Sequence, residues 1–390
     1  MDAERRRGRG DIDRLLDGVK RRPLSRRRFI QAAGIGPAAA FLAACTRRIG
    51  GPAPRRSPAS TAAELEDTLV IYNWAAYLNP ETVKAFEREY DVTVQATDFY
   101  ESNEEMIAKL QGGATGYDLV APTGYAVEIL ANEGLLLELD HSRLPNLANV
   151  EDRFTALSFD PEMKYHAPKD WGTTGFGYLG KFVKEDLTSW EGFFGSGGKY
   201  SGRYTVLDGP YEVVSAGLKR LGYSWNSTSQ SEVDEALELL IDFKPHIRAI
   251  TSTQYRQMMS RAETWLALGW NGDFFYVYED QPSVRYVIPS EGTEFWVDTW
   301  AIPASAPHPN LAHEFINWIL TPERQGVESS YTYYASCVEG AKEFTDEAVA
   351  NDPNIYPPAE VTDKLEATSG DPEALQLRVE AWRRFQAAAS

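Results

Sequence analysis

From Leu69 onward the chain alternates strand-like runs with helix signals, and that order leaves few folds open. LVIYNW (69–74) reads as a short buried strand. Asn79-Pro80 then supplies a helix cap and a first-turn proline, and Val83, Phe86 and Tyr90 follow at helical spacing. VTVQATDF (92–99) alternates as a strand. Ser102 with Glu105 forms a capping box for a helix running to Gly112-Gly113. YDLVAPTG (117–124) is the next strand and YAVEILANEG (125–134) the helix after it. Such a βαβαβ order predicts an α/β fold with a mostly parallel sheet covered on both faces.

A second set of elements follows. YTVLDG (204–209) reads as a strand entering a helix at 212–221, and Ser231 with Asp234 is expected to cap another helix that ends at Pro245. TWLALGW (264–270) and VRYVIP (284–289) are further strands. The chain then returns toward the first set near 299–303, with helices at 309–320 and from Pro322. About 320 residues suffice to bury a core without cross-links, most simply as two lobes.

The first forty-five residues have a different character. A polar, basic stretch ends in SRRRFI (25–30), the form of a twin-arginine export signal. Phe29–Ala44 is modestly apolar, is broken by Gly34, Gly36 and Pro37, and is too short to span a bilayer. It closes with LAAC (42–45), which resembles a bacterial lipobox with Cys45 as the lipid-modified residue. Residues 1–44 thus read as a signal peptide, and residues 45–66, rich in Pro, Arg, Ser and Gly, as a flexible tether. The expectation is an exported protein held at the outer face of a membrane. With Cys45 lipidated, Cys337 is the only free thiol, and no intrachain disulfide can form.

Charge separates the same two parts. Residues 1–44 carry 11 Lys and Arg against 5 Asp and Glu, so removing their +6 from the whole-chain −18 leaves −24 on the remainder. A body this anionic excludes nucleic-acid binding through a basic surface. It would concentrate cationic solutes, although the same charge also serves solubility or life in salt.

Two segments, WNGD (270–273) and FWVD (295–298), each set a tryptophan within three residues of an aspartate. An indole face attracts positive charge and shields it from water, while a carboxylate accepts charge-assisted hydrogen bonds from an ammonium. In open α/β sheets ligands sit beyond the carboxyl ends of strands. Trp74, Thr123, Asp208 with Glu212, and Trp270 with Asp273 all fall there, and two facing lobes would bring these ends together. The five histidines show no metal-ligand spacing, so neither a metal nor a cofactor is expected. No G-x-S-x-G, no H-E-x-x-H and no Cys–His arrangement occurs, which argues against an enzyme. Paired carboxylates could still serve a glycosidase, and aromatic clefts also suit sugars.

YNWAAY (72–77), YESNEEMIAKL (100–110), YDLVAPTGY (117–125), WGTTGFGY (171–178), WNGD, FWVDTWAIP (295–303) and NIYPPAEV (354–361) occur in this order. Together they resemble the polyamine-binding proteins of spermidine/putrescine ABC importers, from about Leu69 to Phe385. The resemblance implies a two-lobed periplasmic-binding-protein (type II) fold that closes by hinge bending. Its lobes would be 67–172 plus 299–336 and 173–298 plus 337–390. Chain crossings are expected near 171–173, 296–299 and 331–338. Residue by residue, it implies that Trp74 and Tyr77 wall the ligand's alkyl chain and that Thr123 and Tyr125 contact one amine. Glu212 would be a carboxylate of the second lobe. Trp270 with Asp273, and Trp296 with Asp298, would be aromatic–acid pairs, and Tyr334 a tyrosine near a crossing. Asp208 is a further candidate, shifted by one from a liganding acid of some members. Ala75 and Ala76 stand where the family usually has a hydroxyl and an acid, which leaves the preferred polyamine open. The implied partners are a polyamine and ABC permease subunits, and the implied state is a monomer.

Overall fold

The structure, a computed structural model, describes residues 65–388. The expected signal peptide, the Cys45 lipidation site and all but the last two residues of the tether lie outside the described residues. Where the description begins, the Glu66 carboxylate accepts the backbone N–H of Leu311 at 2.8 Å, at the start of a helix.

The first half contains β1 (Thr68–Trp74), α1 (Pro80–Tyr90), β2 (Thr93–Tyr100), α2 (Asn103–Gln111), β3 (Leu119–Val120) and α3 (Gly124–Asn132). The expected caps form. Asn79 Oδ1 accepts the Glu81 N–H at 2.9 Å, and Ser102 Oγ accepts that of Glu105 at 3.1 Å. The three strands make a parallel sheet in the order β2-β1-β3. Period-two alternation along β1 sends Leu69 and Ile71 into one core with Phe86, Trp300 and Phe315. Tyr72 points into another core, with Tyr100, Met106 and Leu130. The sheet is therefore covered on both faces.

Next come β4 (Ala167–Leu179), α4 (Trp190–Gly195), β5 (Tyr204–Val206), α5 (Pro210–Arg220), α6 (Gln230–Phe243) and β6 (Ile247–Ile250). They are followed by α7 (Tyr255–Ser260), β7 (Leu266–Trp270), α8 (Asn271–Asp280), β8 (Val284–Val287) and β9 (Glu294–Trp300). The N-cap of helix α6 is Ser229, two residues before the expected Ser231, and it makes no side-chain cap bond. The second sheet is mixed: β5 runs parallel to β6 and β7, while β4 is antiparallel to β7, β8 and β9. Strand β4 is buried along all of its length, yet Lys169, Asp170 and three glycines hide it from a search for apolar runs.

Strand β4 is also the link between two bodies. Ala167 and Trp171 belong to the Leu69 core, whereas Phe176, Tyr178 and Leu179 belong to a second core with Trp190, Val213, Leu266 and Trp382. Its partner β9 pairs with the first part of β4, from Ala167 opposite Trp300 to Thr173 opposite Phe295.

The last elements are α9 (Pro309–Ile319), α10 (Pro322–Thr332), β10 (Ala335–Ser336), α11 (Glu347–Ala350), α12 (Ala359–Thr362), β11 (Glu366–Ala367) and α13 (Pro372–Ala387). Two expectations change here. Cys337, Val338, Ala341, Val349 and Ile355 pack in the Leu69 core, so the segment after 336 does not pass at once to the second lobe. The chain changes core between Ile355 and β11, which pairs with β9, and α13 then packs with Val213 through Ala381, Trp382 and Phe385. The crossing expected at 331–338 falls instead after Tyr356, which still packs against the Leu69 core, and before β11. Among the described residues no helix is long and apolar enough to cross a membrane.

Candidate functional site

The carboxyl ends of β1, β3, β5 and β7 and one face of β9 converge on a cavity of about 110 Å³. All ten principal candidates line it: Trp74, Tyr77, Thr123, Tyr125, Glu212, Trp270, Asp273, Trp296, Asp298 and Tyr334. Asp208 does not. It is exposed, its backbone N–H bonds Ser252 Oγ, and the cavity wall passes to Glu212 one helical turn on.

The aromatic wall is a cluster separate from the other cores. Tyr77, Trp296 and Tyr334 are buried against one another, with Trp74 and Trp270 packed at their edge. Trp296 meets Tyr334 edge-on at 4.9 Å between ring centroids, and Tyr334 meets Tyr77 at 5.7 Å. Trp74 is anchored by its indole N–H, which donates to the Ala121 carbonyl at 2.8 Å. Two glycines make room. A Cβ on Gly172 would lie 2.4 Å from Trp296 Cζ2, and one on Gly272 would lie 2.6 Å from Tyr334 Cε1. The glycine of WNGD thus positions a ring from a distant helix end.

Asp298 sits at the centre of the polar network and is 6 % exposed. Its Oδ1 accepts from Thr123 Oγ1 at 2.6 Å, and its Oδ2 lies 2.8 Å from the Tyr77 hydroxyl. Asn103 holds Thr123 from both sides, donating to Oγ1 at 3.0 Å and accepting the backbone N–H at 3.2 Å. The Tyr77 hydroxyl also bonds Asp170, which pairs at 2.5 Å with the buried Lys169 ammonium. One phenolic proton cannot serve two carboxylates. Burial, and next the charge of Asp170, push the Asp298 carboxyl up to about 7, so it can hold the missing proton itself.

Asp273 has a different setting. Tyr255 donates to its Oδ2 at 2.5 Å, and Tyr334 to its Oδ1 at 3.2 Å. Arg256 Nη1 is 3.3 Å from the same Oδ1 and also lines the cavity. Asp273 is therefore already paired with a guanidinium, and sequence reading gave no hint of that arginine.

At the other end, Glu212 stands in the first turn of α5 and faces Glu294. Glu294 is buried and accepts from Thr174 Oγ1 at 2.6 Å and from Thr368 Oγ1. Burial, and then repulsion from Glu294 and Glu104, raise the Glu212 carboxyl to about 8, while burial raises that of Glu294. Neither carboxyl group pairs with a Lys or Arg among the described residues. Nearby, the Tyr125 hydroxyl donates to Glu104 at 3.0 Å.

Glu294 was missed, although a signal existed: in EFWVD, alternation puts residues 294, 296 and 298 on one strand face. Tyr100 and Asn103, from the YESNE segment, line the wall too, and Ser252, Thr253, Tyr276 and Thr332 line it without any sequence cue. Among the described residues no group of three or more His, Cys, Asp or Glu side chains is placed to hold a metal ion. The arrangement is suited to a non-covalent task, holding an apolar chain between rings while carboxylates meet positive charge.

The family model described as bacterial extracellular solute-binding protein matches residues 81–357. The Putrescine-binding periplasmic protein PotF of Escherichia coli (strain K12) is 33 % identical over 346 residues, which cover 84 % of this chain and 93 % of that protein. The Spermidine/putrescine-binding periplasmic protein of Salmonella typhimurium is 32 % identical over 323 residues, covering 82 % and 92 %. Among solved structures, a spermidine/putrescine ABC transporter protein from Listeria monocytogenes superposes with a TM-score of 0.79 at 31 % identity, covering 83 % of this chain and all of that one. The fold is that of the two-lobed periplasmic binding proteins, and the chain belongs to the bacterial extracellular solute-binding protein family.

Proposed function

We propose that this protein captures a polyamine outside the cytoplasm and delivers it to an ABC importer. One observation carries the reading: a ring cluster of Tyr77, Trp296 and Tyr334, edged by Trp74 and Trp270, shares a cavity with the buried carboxylate of Asp298 and the half-buried one of Glu212. A polyamine is a chain of methylenes punctuated by ammonium groups. Rings can sandwich the methylenes, and each desolvated cation–π contact contributes up to about 2 kcal/mol. Charge-assisted hydrogen bonds add roughly 1.5–3 kcal/mol apiece, and micromolar affinity needs only about −8 kcal/mol. Thr123 and Tyr125 complete the polar contacts, and Asp273, through Arg256, sets the polarity of one wall.

Closure follows from the same groups. Carboxylates carried by the two bodies repel each other as the cleft shuts, and a bound cation relieves that repulsion. Strands β4 and β9, which link the bodies, are the natural place for the bend. On this reading residues 1–44 are an export signal of the twin-arginine type, and Cys45 carries the lipid that holds the monomeric binding protein near its permease. No step of chemistry is required of the site.

Calorimetric titration of ligand-stripped protein with putrescine, spermidine, a betaine and a sugar tests the proposal. Saturable binding of a di- or triamine is the expected result. Binding of the betaine or sugar alone would reassign the ligand, and turnover of a bound compound would replace capture by catalysis.

A further inference from the structure

Strand β9 carries Glu294, Trp296 and Asp298 at alternate positions, and all three line the cavity. Residues i and i+4 of a strand lie about 13 Å apart on the same face, with i+2 midway between them. The strand therefore presents acid, indole and acid in a row. Both acids are buried, at 4 % and 6 % exposure, and both are fixed, Glu294 by Thr174 and Thr368 and Asp298 by Thr123 and Tyr77. Neither can swing far to meet a shorter ligand.

From this face we infer that β9 is a length gauge that selects a triamine of about spermidine's span over a four-carbon diamine, with Glu294 and Glu212 together taking the far ammonium. The inference rests on the polyamine reading above. An extended chain advances about 1.2 Å per bond, so a diamine with four methylenes separates its nitrogens by about 6 Å. A triamine with three- and four-carbon segments separates its terminal nitrogens by about 11 Å, close to the strand spacing. The diamine anchored at Asp298 stops over the indole, whereas the triamine reaches the second acid.

Another acid of the cavity wall is already engaged. Asp273 already holds Arg256, Tyr255 and Tyr334. At the far end Glu212 and Glu294 face each other, with Glu104 and Tyr125 on the adjoining helices and Tyr211 and Tyr286 as the other titratable groups near them. Two carboxyl groups without a basic partner are suited to an ammonium, which has three protons to donate. Binding there displaces any proton they share, so capture of the triamine releases protons to solvent.

The test compares wild type, Glu294→Gln and Glu212→Gln by titration calorimetry at neutral pH with spermidine, putrescine and α,ω-diaminoalkanes of increasing length. Each titration is repeated in two buffers of different ionisation enthalpy to count protons. Wild type is expected to favour spermidine at least tenfold, with proton release. Glu294→Gln should lose tenfold or more for spermidine, lose far less for putrescine and release fewer protons, and Glu212→Gln should likewise lose tenfold or more for spermidine. In wild type alone, diaminoalkane affinity should peak near the length that spans both acids, which needs no variant to fold. Equal losses for both ligands, unchanged proton release, or affinity that ignores length would overturn the gauge. Failure of wild type to bind any amine would instead remove the polyamine reading beneath it.

Discussion

Replacing Asp298 by Asn separates ligand recognition from stability more cleanly than any other single change. Asn keeps an oxygen to accept from Thr123, where the bond is now 2.6 Å. Its amide can donate to the Tyr77 oxygen, now 2.8 Å from Oδ2, leaving the phenolic proton free to serve Asp170. The substituted network thus satisfies itself without an extra proton. The aspartate does not, which is why its carboxyl is raised from 3.8 to about 7 by burial and Asp170. An acid raised in the folded state contributes stability below its unfolded pKa and loses it as pH climbs to the folded value. Between about pH 4 and 7 the wild type therefore loses stability that the Asn variant keeps, up to on the order of 4 kcal/mol. The ligand-free variant should melt higher than wild type at pH 8, by several degrees, and the difference should shrink toward pH 5. Affinity should move the other way. A lost charge-assisted bond of roughly 1.5–3 kcal/mol weakens polyamine binding about 10- to 100-fold. Scanning fluorimetry at pH 5 and 8, with calorimetric titration at pH 8, reads both effects. Unchanged affinity, or a melting point lowered equally at both pH values, would refute the reasoning.

Three further outcomes follow from the same geometry. Gly172→Ala places a Cβ 2.4 Å from Trp296 Cζ2 and 2.5 Å from Asn271 Oδ1, and should cost about 1–3 kcal/mol in denaturant unfolding while weakening ligand binding. Arg256→Gln releases Asp273 from its guanidinium and should strengthen amine binding roughly tenfold by calorimetry; weaker binding would mean that Arg256 itself holds ligand. Wild-type affinity for a polyamine should rise from pH 6 to about 8.5, because protonated Asp298 and Glu212 must lose their protons to meet an ammonium. A flat profile would show that neither acid meets the amine.

The first sheet was legible because each of its elements carries a local cue. Asn79-Pro80 and Ser102 announce helices, and the apolar run of β1 announces a buried strand. The second half was harder for identifiable reasons. Strand β4 contains Lys169, Asp170 and glycines whose burial makes sense only once β9 and Trp296 lie against them. Ser231 resembles a cap, but the helix starts before it because packing of Val233 and Leu237 sets the helical phase. The IYPPAEV segment was recognised, yet its role in carrying the chain between the two cores is a matter of contacts far apart in sequence.

The site divides along the same line. Residue type and spacing pointed to Trp74, Thr123, Glu212, Trp270, Asp273, Trp296 and Asp298, because a strand end and a tryptophan near an acid are local properties, while Tyr77, Tyr125 and Tyr334 came only from the family resemblance; all ten line one cavity. What those acids can do was decided by tertiary structure. Asp273 and Asp298 look equivalent in sequence, each close behind a tryptophan. Folding brings Arg256 and two tyrosine hydroxyls to the first, and a threonine hydroxyl with a competing buried carboxylate to the second. The charge on a buried acid depends on which groups reach it through space, and that information resides in the packing of distant elements rather than in its neighbours along the chain.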